Sequence, residues 1–317
     1  MDVKNRTLAT EFILLGFSKD LKTNILLFVI FFFIYLVSVN ANCLIFCLIV
    51  INKNLHIPMY YFLCILSIMD LFITSSSIPK LLEDLISSQR IISLAACTAQ
   101  FYITLLMAGT ECLLLALMAY DRYVAICRPL HYPVLMRWSN CYRMTASVWI
   151  LSFMIFILPY IEKPIKLCYP NQVNHFMCEA LVVHQLACED THASDILIAI
   201  SIACFLALFV PFLLIIVSYA SILASVLKMR SAGRSKAFST CSSHVMVVVL
   251  FYGTSVIMYL GASSKYSENY GKYFTLLTNV ICPTLNPLIY CLNNKDVKEA
   301  QKKIFSKLWP RFSFKTK

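Results

Sequence analysis

The fold is decided by the stretch Ile25–Asn52, ILLFVIFFFIYLVSVNANCLIFCLIVIN. These 28 consecutive residues include no Asp, Glu, Lys or Arg. About 20 mostly apolar residues in a helix cross the ~30 Å hydrocarbon layer of a bilayer. Because backbone groups in lipid must be satisfied within the segment, we expect a membrane-spanning helix here rather than an exposed strand.

Six further stretches follow the same pattern. Asp70 is the only charged residue of Ile57–Pro79, and Glu111 is the only charged residue of Ile91–Tyr120. The six stretches are Ile57–Pro79, Ile91–Tyr120, Met144–Ile161, Ile196–Leu227, Val245–Ser264 and Tyr273–Asn294. Helices of this length in a soluble protein are not apolar on every side. The sequence therefore predicts an all-α membrane protein, a seven-transmembrane helix bundle.

Composition excludes a soluble or disordered chain. Of the 317 residues, 60% are hydrophobic and 14% are charged, whereas soluble domains are nearer about 45–50% apolar and 25% charged. The 13% of aromatic residues speaks against disorder. The first apolar stretch is too long for a signal peptide and follows 24 mixed residues, so we expect it to be retained as a span.

Basic residues set the predicted orientation. If the N-terminus is outside, the inner segments hold 17 basic and three acidic residues, a net charge of +14. The outer segments carry −1, and Asp70 and Glu111 within the spans carry −2. The formal charge of +11 is then a property of the inner face and gives no reason to expect nucleic acid. We expect a multi-pass protein of the plasma membrane with an extracellular N-terminus.

Four of the 14 cysteines fall in outer segments, which mature in an oxidising compartment: Cys97, Cys168, Cys178 and Cys188. Four cysteines allow three pairings. Since Cys97 opens the third span, a bond from it would tie the long second outer loop over the bundle. A second bond would close that loop on itself.

Two carboxylates lie at mid-depth in the predicted spans. Glu111 belongs to a stripe of the third span that runs from Thr104 through Leu115 to Arg122. A mid-membrane carboxylate is costly, so it should face the bundle and have a partner. With Asp70 at comparable depth, the pair predicts a bound cation or a shared proton. The alternative is a hydrogen-bonded polar core without an ion.

The inner ends of the third and seventh spans carry two further polar groups. In Asp121-Arg122-Tyr123, the arginine is either a releasable partner of its neighbouring carboxylate or an ordinary membrane-edge residue. Pro287 removes one backbone bond from the seventh span, and Asn286 offers a side chain to the freed groups. That site predicts either a hinge or a static kink.

The chain resembles the olfactory receptors of the rhodopsin-like G-protein-coupled receptor class over essentially its whole length. The early EFILLGF (Glu11–Phe17) and the ten-residue spacing of three cysteines in the second outer loop also fit. The segments that carry the resemblance are Leu55–Leu63 (LHIPMYYFL), Met118–Cys127 (MAYDRYVAIC), Ser218-Tyr219, Lys236–His244 (KAFSTCSSH) and Pro283–Tyr290 (PTLNPLIY).

The resemblance implies roles for these residues. Asp121, Arg122 and Tyr123 would form the switch that faces the G protein, and Asn286, Pro287 and Tyr290 would rearrange on activation with Tyr219. It implies disulfides Cys97–Cys178 and Cys168–Cys188, a sodium ion near Asp70 and Glu111, and no other cofactor. It also implies coupling to the olfactory stimulatory G protein and cyclic AMP.

Three positions depart from the family pattern. Ala41 precedes Asn42 where glycine is usual, Asn293 stands where arginine is usual, and Met177 replaces an aromatic residue before Cys178. None of these removes a switch residue, but Asn293 puts the inner-face contact at its position in question.

By analogy with the class, the outer halves of spans three, five, six and seven should enclose a ligand. The positions that face inward by helical spacing include no Asp, Glu, Lys, Arg or His. We therefore expect a small, neutral, largely apolar odorant, oriented by Thr104, Tyr259 or Asn279. The predicted positions are Thr104, Leu105, Ala108, Gly109, Ala203, Cys204, Ala207, Tyr252, Ser255, Val256, Tyr259, Leu276 and Asn279.

Two other functions compete with a receptor. A transporter or channel with a cation site at Asp70 and Glu111 would normally show an internal repeat, and none is evident. An enzyme would need a paired nucleophile and base or a metal-ligating pair within the spans, and the sequence suggests neither. We expect no catalytic residue and no metal centre.

Three parts are predicted along the chain: residues 1–24 as an extracellular tail, 25–293 as the seven-transmembrane domain, and 294–317 as a cytosolic tail. The first contains a glycosylation sequon at Asn5. The last part has basic residues spaced around Ile304, Phe305, Leu308 and Trp309, which predicts an amphipathic helix on the anionic inner leaflet.

Overall fold

A computed structural model describes residues 8–162, 166–168, 171–188, 191–228, 231–261, 267–293 and 295–308. Eight main helices follow one another: α1 (Leu21–Ile51), α2 (Pro58–Ile86), α3 (Leu94–Cys127), α4 (Trp138–Ser152), α5 (Thr191–Val226), α6 (Ser231–Gly261), α7 (Ser267–Leu276) and α8 (Lys295–Leu308). Helix α4 continues through a π-helical turn, Phe153–Ile157, into Leu158–Glu162, and α7 continues through Leu277–Ile281 into Cys282–Asn293. Short helices Tyr132–Leu135 and Ala180–Leu186 lie between the main ones.

Helices α1–α7 coincide with the seven predicted spans. Among the described residues, six helices have the length and hydropathy to cross a membrane, and α6 adds a shorter apolar segment, Cys241–Ile257. Burial explains the pattern in α1, where Phe31, Ser38, Asn42, Ile45 and Ile49 form one buried stripe. The rest of α1 is left to lipid, as a membrane helix requires. The predicted helix bundle is confirmed.

Helix α3 is central and packs against α2, α4, α5 and α6. The largest apolar cluster fills one half of the bundle, with Leu66, Leu115, Ile215, Val247 and Ile289 contributed by five helices. Helix α8 leaves this end of the bundle with Val297 and Ala300 buried beneath it. The predicted amphipathic helix is confirmed, although the side chains of Ile304, Phe305 and Leu308 lie outside the description.

A small sheet closes the opposite end, which we call the outer end. Strand β1 (Glu11–Leu14) lies between β2 (Ile91–Ser93), antiparallel, and β3 (Gln172–Val173), parallel. Alternation along β1 buries Phe12 and Leu14 completely. The predicted outer tail, residues 1–24, therefore contains a packed strand and the first turn of α1, which the all-α expectation missed. Asn5 lies outside the described residues.

Two disulfides fasten the second outer loop. Cys97 at the start of α3 is bonded to Cys178, and Cys168 is bonded to Cys188, which confirms both predicted pairs. The first bond attaches the loop to the bundle and the second closes the loop on itself. Together with the sheet, they give the outer end a second apolar cluster that includes Phe12, Phe101 and Val182.

Candidate functional site

Three polar side chains meet at the centre of the bundle. Asp70 on α2, Glu111 on α3 and Asn286 on α7 are each at most 2% exposed. The Asn286 amide nitrogen lies 3.2 and 3.3 Å from the two Asp70 oxygens and 3.3 Å from Glu111 Oε1. One amide therefore donates to both carboxylates, and three helices are joined at one point.

The same part of α7 is also held by α1. Asn42 Nδ2 donates to the Pro283 carbonyl at 3.1 Å, one turn before Pro287. Asn286 Oδ1 and the Tyr290 hydroxyl are buried and make no hydrogen bond among the described residues. Buried polar atoms of this kind favour a further partner, such as water or an ion, or a different arrangement of α7.

The inner end of α3 holds the predicted switch. Arg122 Nε donates to Asp121 Oδ2 at 2.9 Å, and Nη2 also contacts that oxygen. The Tyr132 hydroxyl, from the loop after α3, donates to Asp121 Oδ1 at 2.9 Å. Burial and the Asp121 carboxylate both raise the pKa of Tyr132, so it stays a donor. Arg122 is thus paired with a carboxylate of its own helix, and the hydrogen bonds found for its guanidinium among the described residues all go to Asp121.

Beside this pair, Tyr219 on α5 meets His244 on α6. Their side chains join through the Tyr219 hydroxyl and His244 Nδ1 at 2.6 Å, and the two rings stack. The sequence analysis placed Tyr219 in the switch but gave His244 no role in it. The sequence could have indicated a role for His244, since it is the last residue of the KAFSTCSSH motif.

The predicted ligand positions occupy several different environments. Thr104, Ala207, Ser255 and Asn279 are buried, and Leu105 and Ala108 are half-buried. The hydroxyls of Thr104 and Ser255 donate to carbonyls one turn earlier in their own helices. Ala203, Cys204 and Tyr259 lie in α5 and α6, but their side chains are outside the described part of the chain.

Tyr252 belongs to a node that joins three helices. Its hydroxyl donates to the Cys112 carbonyl at 3.1 Å and lies 3.0 Å from Cys112 Sγ. The thiol of Cys112 in turn donates to the Ala207 carbonyl at 3.2 Å. Helices α3, α5 and α6 therefore meet at Cys112, a residue that the sequence did not single out.

Three other predicted positions have neighbours that helical spacing could not specify. Gly109 faces α4 so closely that an added Cβ would lie 2.3 Å from the Phe156 ring. Leu276 packs with the cluster that includes Phe31 and Met177. Val256 is 39% exposed. In these contacts, Gly109 and Leu276 serve helix and loop packing.

The second outer loop reaches inward at Met177. This side chain is fully buried, and the Asn279 amide donates to its sulfur at 3.7 Å. On the other side, Gln100 Oε1 accepts from the Cys178 amide at 2.7 Å, and Gln100 Nε2 donates to the Ser76 carbonyl at 2.7 Å. The loop therefore spans from α3 to α7 above the predicted ligand positions.

A sequence model of the olfactory receptor family matches residues 31–308. The chain belongs to the olfactory receptor family. Human olfactory receptor 2B2 is 43% identical over 310 residues, which cover 97% of this chain and 86% of that protein. Mouse olfactory receptor 2A7 is 42% identical over 305 residues, covering 95% of this chain and 97% of that receptor.

Squid rhodopsin shares the fold of this olfactory receptor. The two structures superpose with a TM-score of 0.74 at 18% identity, covering 96% of this chain and 86% of the squid protein. Family membership confirms the predicted resemblance and a multi-pass membrane protein. Olfactory receptors are not enzymes, so the expectation of no catalytic activity is also confirmed.

Proposed function

We propose that this receptor binds a small, neutral, largely apolar odorant in the outer half of the bundle and activates the olfactory stimulatory G protein, which raises cyclic AMP. The observation that carries the proposal is the division of polar groups between the two ends. The inner end holds a buried, internally paired Arg122, whereas the predicted ligand positions include no Asp, Glu, Lys, Arg or His. A cationic ligand would lack a counter-ion there, so apolar burial supplies most of the affinity.

The inner surface supports coupling to a protein partner. Leu130 is 90% exposed and Val134 is 69% exposed, both in the loop that follows Arg122. Adjacent exposed apolar side chains beside a basic surface suit docking of a protein partner. Opening of α6 would separate Tyr219 from His244 and make the arginine accessible. In the proposed orientation, the N-terminus and the disulfides lie outside and the basic face lies in the cytosol, as the distribution of basic residues favours.

A sodium ion at the central polar site is a second part of the proposal. Asp70 and Glu111 supply carboxylate oxygens, and the buried carbonyl of Asn286 has no hydrogen-bond partner among the described residues. Such a set of hard oxygen donors fits a small cation and would offset the cost of two buried carboxylates. Replacing NaCl by choline chloride should then change agonist potency in the wild type but not in Asp70→Asn.

The proposed function is tested in cells that express the olfactory G protein, with a cyclic-AMP sensor and a panel of neutral aliphatic alcohols, esters and ketones. Wild type should respond to members of the panel. Arg122→Ala should lose the response at equal surface expression, whereas Arg137→Ala, a matched inner-face control, should keep it. A response that persists in Arg122→Ala, or ion current without G protein, would contradict the proposal.

Tyr259 tests the ligand end separately. Tyr259→Phe removes one hydroxyl while keeping the ring. If that hydroxyl orients the ligand, potency should fall for hydrogen-bonding agonists. An unchanged response to every agonist would remove its proposed role.

A further inference from the structure

A lysine is buried at the outer end of α7. Lys272 is 8% exposed. Its Nζ donates to the Gly16 carbonyl and to Asn174 Oδ1, each at 2.9 Å. The ammonium also lies 5.8 Å from the centre of the Phe17 ring and 5.7 Å from that of Tyr273. All four contacts are with neutral groups, so none of them supplies an opposite charge to offset the cost of burying the ammonium. Their contribution to binding the ammonium depends on their distances and angles.

These contacts join α7 to two segments that lie over the bundle. We call the segments Glu11–Phe17 and Asn174–Cys178 together the roof. They are bonded to each other, since the Gly16 amide donates to the His175 carbonyl at 3.0 Å. Gly16 has φ +66°, a left-handed conformation that glycine adopts without strain. The Phe17 ring stacks between Phe31 and Phe176.

The roof is fastened differently on its two sides. On the α3 side, it is held covalently by Cys97–Cys178 and by Gln100. On the α7 side, the described contacts are non-covalent. They include the two hydrogen bonds of Lys272 and the 3.7 Å contact of Asn279 with Met177. The centres of the Phe17 and Tyr273 rings also lie 5.8 Å apart, and Leu276 packs in the cluster with Phe176 and Met177. A roof with one covalent edge opens along the other edge first.

The roof is also closely packed toward α2. The cavity between Gly16, Phe176, Leu81 and Leu85 measures only about 10 Å³. About one water fits in a space of this size. A ligand that enters from the outer side therefore does not pass beneath this edge of the roof.

We propose that Lys272 is a positioning residue that latches the roof onto α7, and that release of this latch is the step by which a ligand enters and leaves the bundle from outside. The role of the ligand in this inference rests on the proposed function. The latch itself is a property of the free receptor and is tested without any agonist.

The test is hydrogen–deuterium exchange on purified full-length receptor in detergent. Lys272→Met keeps the length of the side chain and removes the charged donor. Roof amides, including Leu15 and Gly16, should exchange about tenfold faster, the scale set by losing hydrogen bonds to a charged group. Lys22→Met, at an exposed lysine of α1, should leave exchange unchanged.

A second variant should change the exchange rate of the roof amides in the opposite direction. Asn174→Asp places a carboxylate against the Lys272 ammonium and should slow roof exchange, whereas in the Lys272→Met background it should not. Unchanged roof exchange in Lys272→Met would overturn the latch. So would faster exchange throughout the protein, which would mark a general loss of stability, or equal effects of Asn174→Asp in both backgrounds.

Signalling kinetics separate the latch from the proposed function. With the odorant panel, Lys272→Met should speed both the rise and the washout decay of cyclic AMP by a similar factor for every agonist. A change confined to one agonist class would make Lys272 a ligand contact and overturn the latch. If the wild type gives no cyclic-AMP response to any odorant of the panel, that result counts against the proposed function alone. The exchange measurement still shows whether Lys272 holds the roof on α7.

Discussion

The outer and inner ends of the bundle are held together by different kinds of interaction. The outer end has two disulfides and a three-stranded sheet. The inner switch, as far as the described residues go, is held by side-chain pairs: Arg122 with Asp121, and Tyr219 with His244. The difference indicates that the disulfide-bonded side of the outer end keeps one shape, whereas the inner switch can exchange one set of partners for another.

Breaking the covalent tie of the outer end should have the largest effect. Cys97→Ser frees the second outer loop from α3 and should cost about 2–5 kcal/mol of stability. We expect little receptor at the cell surface, measured by antibody labelling of an N-terminal tag. Cys43→Ser, at an exposed free thiol, is the matched control. Wild-type surface levels of Cys97→Ser would show that the sheet and packing suffice.

Removing the Asn286 side chain tests whether its hydrogen bonds to Asp70 and Glu111 stabilise the bundle between its two ends. Asn286→Ala leaves Asp70 and Glu111 without their shared donor, which should cost about 1–3 kcal/mol. The thermal unfolding temperature in detergent should fall, whereas Asn40→Ala, at an exposed asparagine of α1, should not lower it. Equal unfolding temperatures would mean that water or an ion already satisfies the carboxylates.

Gly109 sharpens the distinction between packing and ligand contact in the outer half. Gly109→Ala would force the Phe156 ring to move and should cost about 1–3 kcal/mol, as overpacking does. Gly253→Ala, where nothing lies near an added Cβ, should be neutral or stabilise α6 by about 0.5–1 kcal/mol. Thermal unfolding of both variants decides this, and a harmless Gly109→Ala would favour the pocket-facing role predicted from helical spacing.

The smallest effect concerns pH at the outer end. Burial lowers the pKa of His175 to about 4 from an ordinary 6.5, although its bond to the Met177 carbonyl raises it, and nearby Lys272 lowers it further. Glu179 faces it with Oε1 3.7 Å from Nε2. Between these pKa values, the unfolded chain binds a proton that the folded chain does not, so stability falls as pH falls from 6.5 toward 4.

The cost between pH 7 and pH 5 is on the order of 1–2 kcal/mol. It should appear as a lower unfolding temperature at pH 5 and diminish in His175→Gln. His56→Gln, at an exposed histidine of the inner end, should keep the full pH dependence. The same pH dependence in both variants would assign it to other groups.

The bundle was predictable because lipid imposes a simple rule: a span must lack charge, and Ile25–Asn52 obeys it throughout. Asp70 and Glu111 were predictable as inward-facing for the same reason. The donor that joins them, Asn286, depends on how α7 turns relative to α2 and α3, which the sequence of one helix does not specify.

The roof could not be predicted because its contacts are non-local. Phe12 and Leu14 are buried only because Glu11–Leu14 pairs with residues 91–93 and 172–173. The sequence around Lys272 is that of an ordinary lysine at the edge of a loop, and it does not predict the hydrogen bonds of Lys272 with Gly16 and Asn174. Helical spacing predicted that Gly109 faces the ligand site, but it could not predict that the Phe156 ring of α4 lies against Gly109.

In this receptor, we expect the outer half of the bundle to select the ligand and the inner half to transmit its binding. The direct measurement compares cyclic-AMP dose–response curves for an aliphatic alcohol and the ketone of equal chain length in wild type, Asn279→Ala and His244→Ala. Asn279→Ala should change the ratio of the two potencies, and His244→Ala should alter the response to both agonists equally without changing that ratio. A changed ratio in His244→Ala, or an equal shift for both agonists in Asn279→Ala, would show that ligand selection and signal transmission are not divided between the two halves.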